Sequence, residues 1–148
     1  MAEMTIRQLS DKLQAYVNNI DKTIEKVVLS NSDLAIRLNQ NQLLDGEMPD
    51  DSPIVPSYFS SSYATFKNRL NPRPGLNVPD LNLTGGNYNG IRFVKKGKKY
   101  FLENVNDKAP MLIKKYGDYM GLNKTSSKTF RNKNDKDLIV DFRRQTGL

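Results

Sequence analysis

Nine apolar residues, Ile6, Leu9, Leu13, Tyr16, Val17, Ile20, Ile24, Val27 and Val28, recur at steps of three and four near the start of the chain. Only a helix gathers such a set onto one face, so the spacing predicts a long amphipathic helix over residues 5–29 with its stripe turned to a core. Thr5 is the candidate N-cap, and Arg7, Lys12, Asp21, Lys22, Glu25 and Lys26 make the opposite, solvated face. Ser30, Asn31 and Ser32 compete for backbone hydrogen bonds and interrupt the pattern. Leu34, Leu38 and Leu43 resume it, as a second helix or a kinked continuation to Leu44.

The rest of the chain is more broken. Residues 45–53, Asp-Gly-Glu-Met-Pro-Asp-Asp-Ser-Pro, form an acidic turn in which Gly46 closes the helix and two prolines prevent its resumption. Ile54, Val55, Tyr58 and Phe59 suggest a brief strand, and Tyr63 and Phe66 fall at helical spacing within 60–69. Prolines 72, 74 and 79 make 71–82 a loop, expected to be mobile and long enough to serve binding. Ile91–Val94 and Tyr100–Asn104 flank Lys95-Lys96-Gly97-Lys98-Lys99 and predict a β-hairpin. Pro110 sits well as the first residue of a helix holding Met111, Leu112, Ile113 and Tyr116, which Gly117 ends. Residues 123–136 are too polar to bury much surface and are expected as a mobile loop or weak helix. Residues 137–144 regain apolar character and should dock as a helix or strand. With 148 residues in all, one domain spanning 1–148 is expected.

Composition narrows function more than fold. The chain has no His and no Cys, which removes imidazole bases, thiolates, disulfides and Cys/His zinc sites. The four carboxylates of 45–51 lack the alternating ligands and final Glu of an EF-hand, so no metal is expected. Gly85-Gly86 and Gly90 do not match the phosphate cradles of Walker or dinucleotide loops, so no cofactor is expected either. Ser60–Ser62 and Ser126-Ser127-Lys128 supply hydroxyls without a His base. Catalytic residues are therefore expected to be absent, and an interaction protein is favoured over an enzyme. No apolar run approaches the roughly 18 residues that span a bilayer, so no membrane partner is expected. The N-terminus has no secretory pattern, so the chain is expected in the cytoplasm when it is made.

Charge is unevenly placed. Residues 1–60 hold five Lys/Arg against nine Asp/Glu, a net −4, and residues 61–148 hold eighteen against seven, a net +11. Such polarity suits a nucleic-acid face, or complementary ends that dock neighbouring subunits head to tail. Lys95, Lys96, Lys98 and Lys99 at the hairpin tip are the candidate contacts to DNA backbone or to a subunit; a purely solvated lysine turn is the alternative.

Read in order, Asn39-Gln40-Asn41-Gln42-Leu43, Pro53-Ile54-Val55-Pro56-x-Tyr58 and Leu81-Asn82-Leu83-Thr84-Gly85-x-x-Tyr88-x-x-Ile91 after the N-terminal helix resemble structural proteins of tailed phages of gut Bacteroidetes, including crAss-like phages. Lys115-Tyr116-Gly117 and Gly121-Leu122 continue the likeness, which covers roughly residues 24–122. The central stretch is also similar to the neck and tail-completion (minor tail) family, with Leu83 and Gly90 standing where that family carries Asp and Ser. The resemblance implies an α+β subunit, a long N-terminal helix packed on a small antiparallel β-sheet with short additional helices. It also implies a virion location, in a ring of identical copies between portal and tail. Expected partners are other copies of itself and neighbouring portal, neck or tail proteins, with basic loops against packaged double-stranded DNA. Leu83, Thr84, Gly85, Tyr88 and Ile91 are the expected assembly contacts, within a 71–90 surface that orders on assembly. A small basic non-specific DNA-binding protein is the alternative reading.

Overall fold

In the computed structural model of the protein, residues 3–82 and 84–148 are described. They form a mixed α+β fold with seven helices and one antiparallel two-stranded sheet, the class expected. The chain gathers into two compact units, Met1–Ser32 with Thr129–Leu148, and Asp33–Lys128.

The first unit begins with α1 (Ile6–Asn18). Its start is legible chemistry: the Gln8 amide donates to Thr5 Oγ1 at 3.1 Å and the Thr5 amide donates to Gln8 Oε1 at 2.9 Å, a reciprocal capping box. The single helix expected over 5–29 is in fact two, because Asn19 stops the first at φ −109° and ψ 12°. The Asn19 side chain donates to the Ala15 carbonyl at 3.0 Å while its amide is shared between the Ala15 and Tyr16 carbonyls. That local competition breaks the ladder. Helix α2 (Ile20–Ser30) resumes the stripe and buries Thr23 and Val27. Asn31 then donates to Asn134 Oδ1 and Asp137 Oδ2, each at 2.8 Å, and Tyr16 meets Phe142 edge to face at 5.1 Å between centroids. Ile6 and Val17 lie outside that contact and are exposed, where the stripe predicted burial.

The partner residues belong to the last helix, Lys124–Thr146, so 124–136 takes the helical of its two expected forms. Asn123 caps it, accepting from the Ser126 amide at 3.0 Å. Its inward positions are polar: Ser126, Asn134 and Asp141 are buried. Lys133 pairs with Asp137 one turn on at 2.6 Å.

The second unit is built on α3 (Ser32–Leu44), followed by α4 (Ser61–Leu70), the short α5 (Gly86–Asn89), β1 (Ile91–Lys96), β2 (Lys99–Asn104) and α6 (Ala109–Tyr116); the C-terminal helix described above is α7. Leu43, Met48, Ile54, Tyr88, Ile91 and Tyr119 form the core. Residues 54–59 form no strand, contrary to the sequence reading. Pro53 and Pro56 lack amide donors, and only a bridge between Glu47 and Pro53 precedes the segment. Residues 71–82 contain no helix or strand, as expected of a loop.

The amides of α3 tie the unit together. Asn39 Nδ2 donates to the Tyr119 and Gly121 carbonyls at 3.1 and 2.8 Å, and Gln42 Nε2 to the Gly121 carbonyl at 2.7 Å. Gln42 Oε1 accepts from the Asn123 amide at 2.9 Å, and Gln40 reaches the Tyr88 carbonyl at 3.1 Å.

The sheet pairs Ile91 with Asn104 at one end and Lys96 with Lys99 at the other, leaving a two-residue turn. Gly97 takes φ +63° at the first turn position, as a type II′ hairpin requires. At the base, Gly90 has no room for a side chain: a Cβ there would lie 2.8 Å from the Asn106 backbone nitrogen and would collide with Asn104 Oδ1. Gly90→Ala is expected to cost about 1–3 kcal/mol, seen as a lower urea midpoint at unchanged slope.

Candidate functional site

The hairpin places its four lysines where the sequence put them. Lys95, Lys96, Lys98 and Lys99 are all exposed at the tip. Lys96 and Lys99 stand directly opposite, a repulsive pairing that only an anionic neighbour relieves, and Lys96 finds one in Glu103 at 3.0 Å. On the other face Phe93 and Tyr100 stack at 5.7 Å and an 8° interplanar angle, beside Lys95.

The expected assembly contacts divide. Leu83 lies outside the described residues. Thr84 is exposed, and Gly85 opens α5 at φ +84°. Tyr88 and Ile91 are core residues. The Tyr88 hydroxyl donates to the Asp80 carbonyl, and burial together with the Asp80 charge pushes its ionisation well above the ordinary tyrosine value.

Between the segment before α4, residues 79–82 with Thr84, and α6 lies a groove of about 450 Å³ that the sequence did not disclose. Its floor is an ion pair: Lys67 Nζ lies 2.8 Å from Asp80 Oδ1, with side chains 5% and 3% exposed. Lys67 also donates to the Asn82 carbonyl, and Asp80 accepts from Asn71 Nδ2 at 3.0 Å and the Asn82 amide at 3.1 Å. Tyr58 and Tyr63 form an aromatic wall, edge to face at 5.1 Å. Burial first, and then Asp80, raise the Tyr58 pKa far above its usual range, so its hydroxyl keeps its proton at any physiological pH. Lys108 and Lys115 stand at the rim, the latter 5.2 Å from the Tyr116 ring centroid. With its carboxylate already engaged and two cations at the mouth, the groove suits an anionic occupant with flat apolar parts.

The acidic turn is closed by its own hydrogen bonds. Met48 N bonds Ser52 O at 2.8 Å, Asp51 N bonds Met48 O at 3.0 Å, and Ile54 N bonds Gly46 O at 2.9 Å. Asp50 accepts from both the amide and the hydroxyl of Ser52, which hold its carboxyl below the usual range. Asp51 sits at φ +67° on the exposed tip.

In the first unit α1 leaves a shallow apolar cleft along Ile6, Leu9, Leu13 and Val17; Ile6 is 89% and Val17 61% exposed. Among the described residues no group of three or more acidic side chains is arranged to hold a metal ion, and no helix is long and apolar enough to cross a membrane. No protein family model matches the chain, and neither a curated protein nor a solved structure is significantly similar to it.

Proposed function

We propose that this chain is a non-enzymatic virion structural protein of a tailed phage, a subunit of the ring-like neck, head–tail connector or tail-completion assembly. The ordered motifs between residues 24 and 122 support the reading. The observation that carries it is the exposed apolar face of α1, where Ile6 and Val17 of the N-terminal stripe lie open to solvent. An apolar face bounded by charged residues marks an interaction surface. The opposite net charges of the two ends of the sequence suit contacts between successive subunits, and the lysine-tipped hairpin suits DNA backbone in a lumen.

Changing Lys95, Lys96, Lys98 and Lys99 together to Glu is expected to leave a folded chain, within about 1 kcal/mol of wild type by urea unfolding, because the positions are exposed. Particles made with it should fail to assemble or to retain DNA. Normal particles would remove the lysines from the mechanism. Antibody labelling of intact virions tests the reading as a whole: label at the head–tail junction supports it, and absence with epitope access controlled overturns it. The lysine cluster also favours the second reading, a small basic DNA-binding protein. That protein would bind duplex DNA as an isolated chain with steep salt dependence.

A further inference from the structure

The groove under Tyr58 and Tyr63 and the acidic turn at 45–53 have complementary chemistry on one and the same unit. We propose that the groove is a socket for the acidic turn of a second copy of this chain. The inference rests on the assembly reading above and names the contact that reading lacks.

The groove's demands are specific. Asp80 is engaged by Lys67 on the floor, so Lys108 and Lys115 at the rim give the mouth a net positive charge, and neither has an ion-pair partner among the described residues. The volume of about 450 Å³ falls within the roughly 300–1,000 Å³ of ligand pockets. Aromatic walls of this kind accept proline rings, and cationic rims accept carboxylates.

The turn supplies both in one short segment, Pro49-Asp50-Asp51-Ser52-Pro53. Asp45 is taken by Arg73 at 2.7 Å and Glu47 by Asn123 at 2.9 Å, which leaves Asp50 and Asp51 to face outward. Asp50 is held by Ser52, and Asp51 has no ion-pair partner among the described residues. The turn is already closed by its own backbone hydrogen bonds, so docking orders little additional chain. The bridge from Glu47 to Pro53 pairs the two sides of the turn, and none of residues 45–53 lines the groove of its own chain. Knob and socket are different surfaces, so the contact is heterologous and propagates from copy to copy, closing into a ring where the rotation permits.

The test is a charge-reversal cycle on the full chain, followed by sedimentation velocity at low ionic strength, where exposed charges are least screened. One variant carries Asp50→Lys and Asp51→Lys, the other Lys108→Glu and Lys115→Glu. Wild type should self-associate with rising concentration and lose this with added salt. Each variant alone should associate roughly tenfold more weakly or less, having like charges on knob and socket. An equimolar mixture should regain association, since each variant's knob then matches the other's socket. A monomeric wild type at the highest attainable concentration overturns the proposal, as does association that survives both variants or a mixture that stays apart.

Should a reversal variant fail to fold by circular dichroism, the neutral pairs Asp50→Asn with Asp51→Asn, and Lys108→Gln with Lys115→Gln, replace it. Each should weaken association, and unchanged association overturns the contact. The two ideas fail separately. Virions that incorporate the Asp50→Lys, Asp51→Lys chain normally remove the socket and keep the virion reading, whereas virions that lack wild-type chain remove the virion reading whatever the sedimentation shows.

Discussion

Lys67→Met destabilises the protein by about 3–5 kcal/mol, the largest loss expected from any single side-chain replacement in the groove. The ammonium is 5% exposed and 2.8 Å from a carboxylate that is 3% exposed. Methionine matches the length of the aliphatic stem and keeps its packing, but it leaves the Asp80 carboxylate with only the Asn71 and Asn82 donors and strips the Asn82 carbonyl of its partner. Desolvating one charge without the other is what makes a broken buried pair expensive, whereas losing both together is far cheaper. Lys67→Met combined with Asp80→Asn should therefore recover part of the loss, with a coupling of about 1–3 kcal/mol in the double-mutant cycle. Urea unfolding of the four chains measures it. A loss below about 1 kcal/mol for Lys67→Met would mean that water reaches the pair and that the groove floor is wet.

That ion pair also shows why the groove could not be read from the sequence. Lys67 looks like one more polar residue of an amphipathic helix, and Asp80 like one more loop carboxylate after a proline. They meet only because 71–82 folds back on α4, tied by Asn71, whose side chain donates to both Asp80 and the Leu44 carbonyl. The remaining lining comes from residues 58 to 116 with no common spacing. Periodicity reports single elements, and a site assembled from loops leaves no period.

Features governed by adjacent residues were legible. Thr5 at the start of α1, the lysine-tipped hairpin with Gly97 at its turn, and Pro110 in the first turn of α6 with Gly117 at its end all follow from local chemistry, although Pro110 is the second residue of that helix and not the first. Where side chains compete with the backbone, the pattern misled. The apolar stripe runs unbroken through residue 19, yet the Asn19 amide ends the helix there. Helix α7 misled in the opposite sense. Its buried positions are Ser126, Asn134, Asp141 and Thr146, so a reading that equates burial with apolar character leaves a loop and a weak helix both open. Of the residues singled out between 84 and 91, Tyr88 and Ile91 belong to the core, which the local spacing did not reveal. The hairpin tip, the groove rim and the open face of α1 are the exposed surfaces on which the proposed contacts are placed.

The second large effect lies in the α3 clamp. Asn39→Asp should destabilise the chain by about 3–5 kcal/mol at neutral pH, although it changes one atom group of equal size. Asn39 is fully buried, and its Nδ2 donates to two carbonyls, those of Tyr119 and Gly121, while Oδ1 has no partner. Aspartate replaces the donor with a second acceptor, so two hydrogen bonds become repulsive contacts and a charge is buried with nothing to balance it. Protonation is the relief, since a neutral carboxyl can donate to one of the two carbonyls. The new carboxyl's folded pKa is therefore raised above its unfolded value of about 3.9. By linkage the deficit is smallest below that unfolded value, grows as pH rises toward the folded pKa, and is constant above it. Urea midpoints of wild type and Asn39→Asp should thus converge at pH 3 to 4 and separate toward pH 7. Asn39→Leu, which removes the hydrogen bonds without adding charge, should show a smaller deficit, about 1–3 kcal/mol, with no pH dependence of its own. Equal, pH-independent losses in the two variants would mean that the clamp matters for its shape and not for its donors.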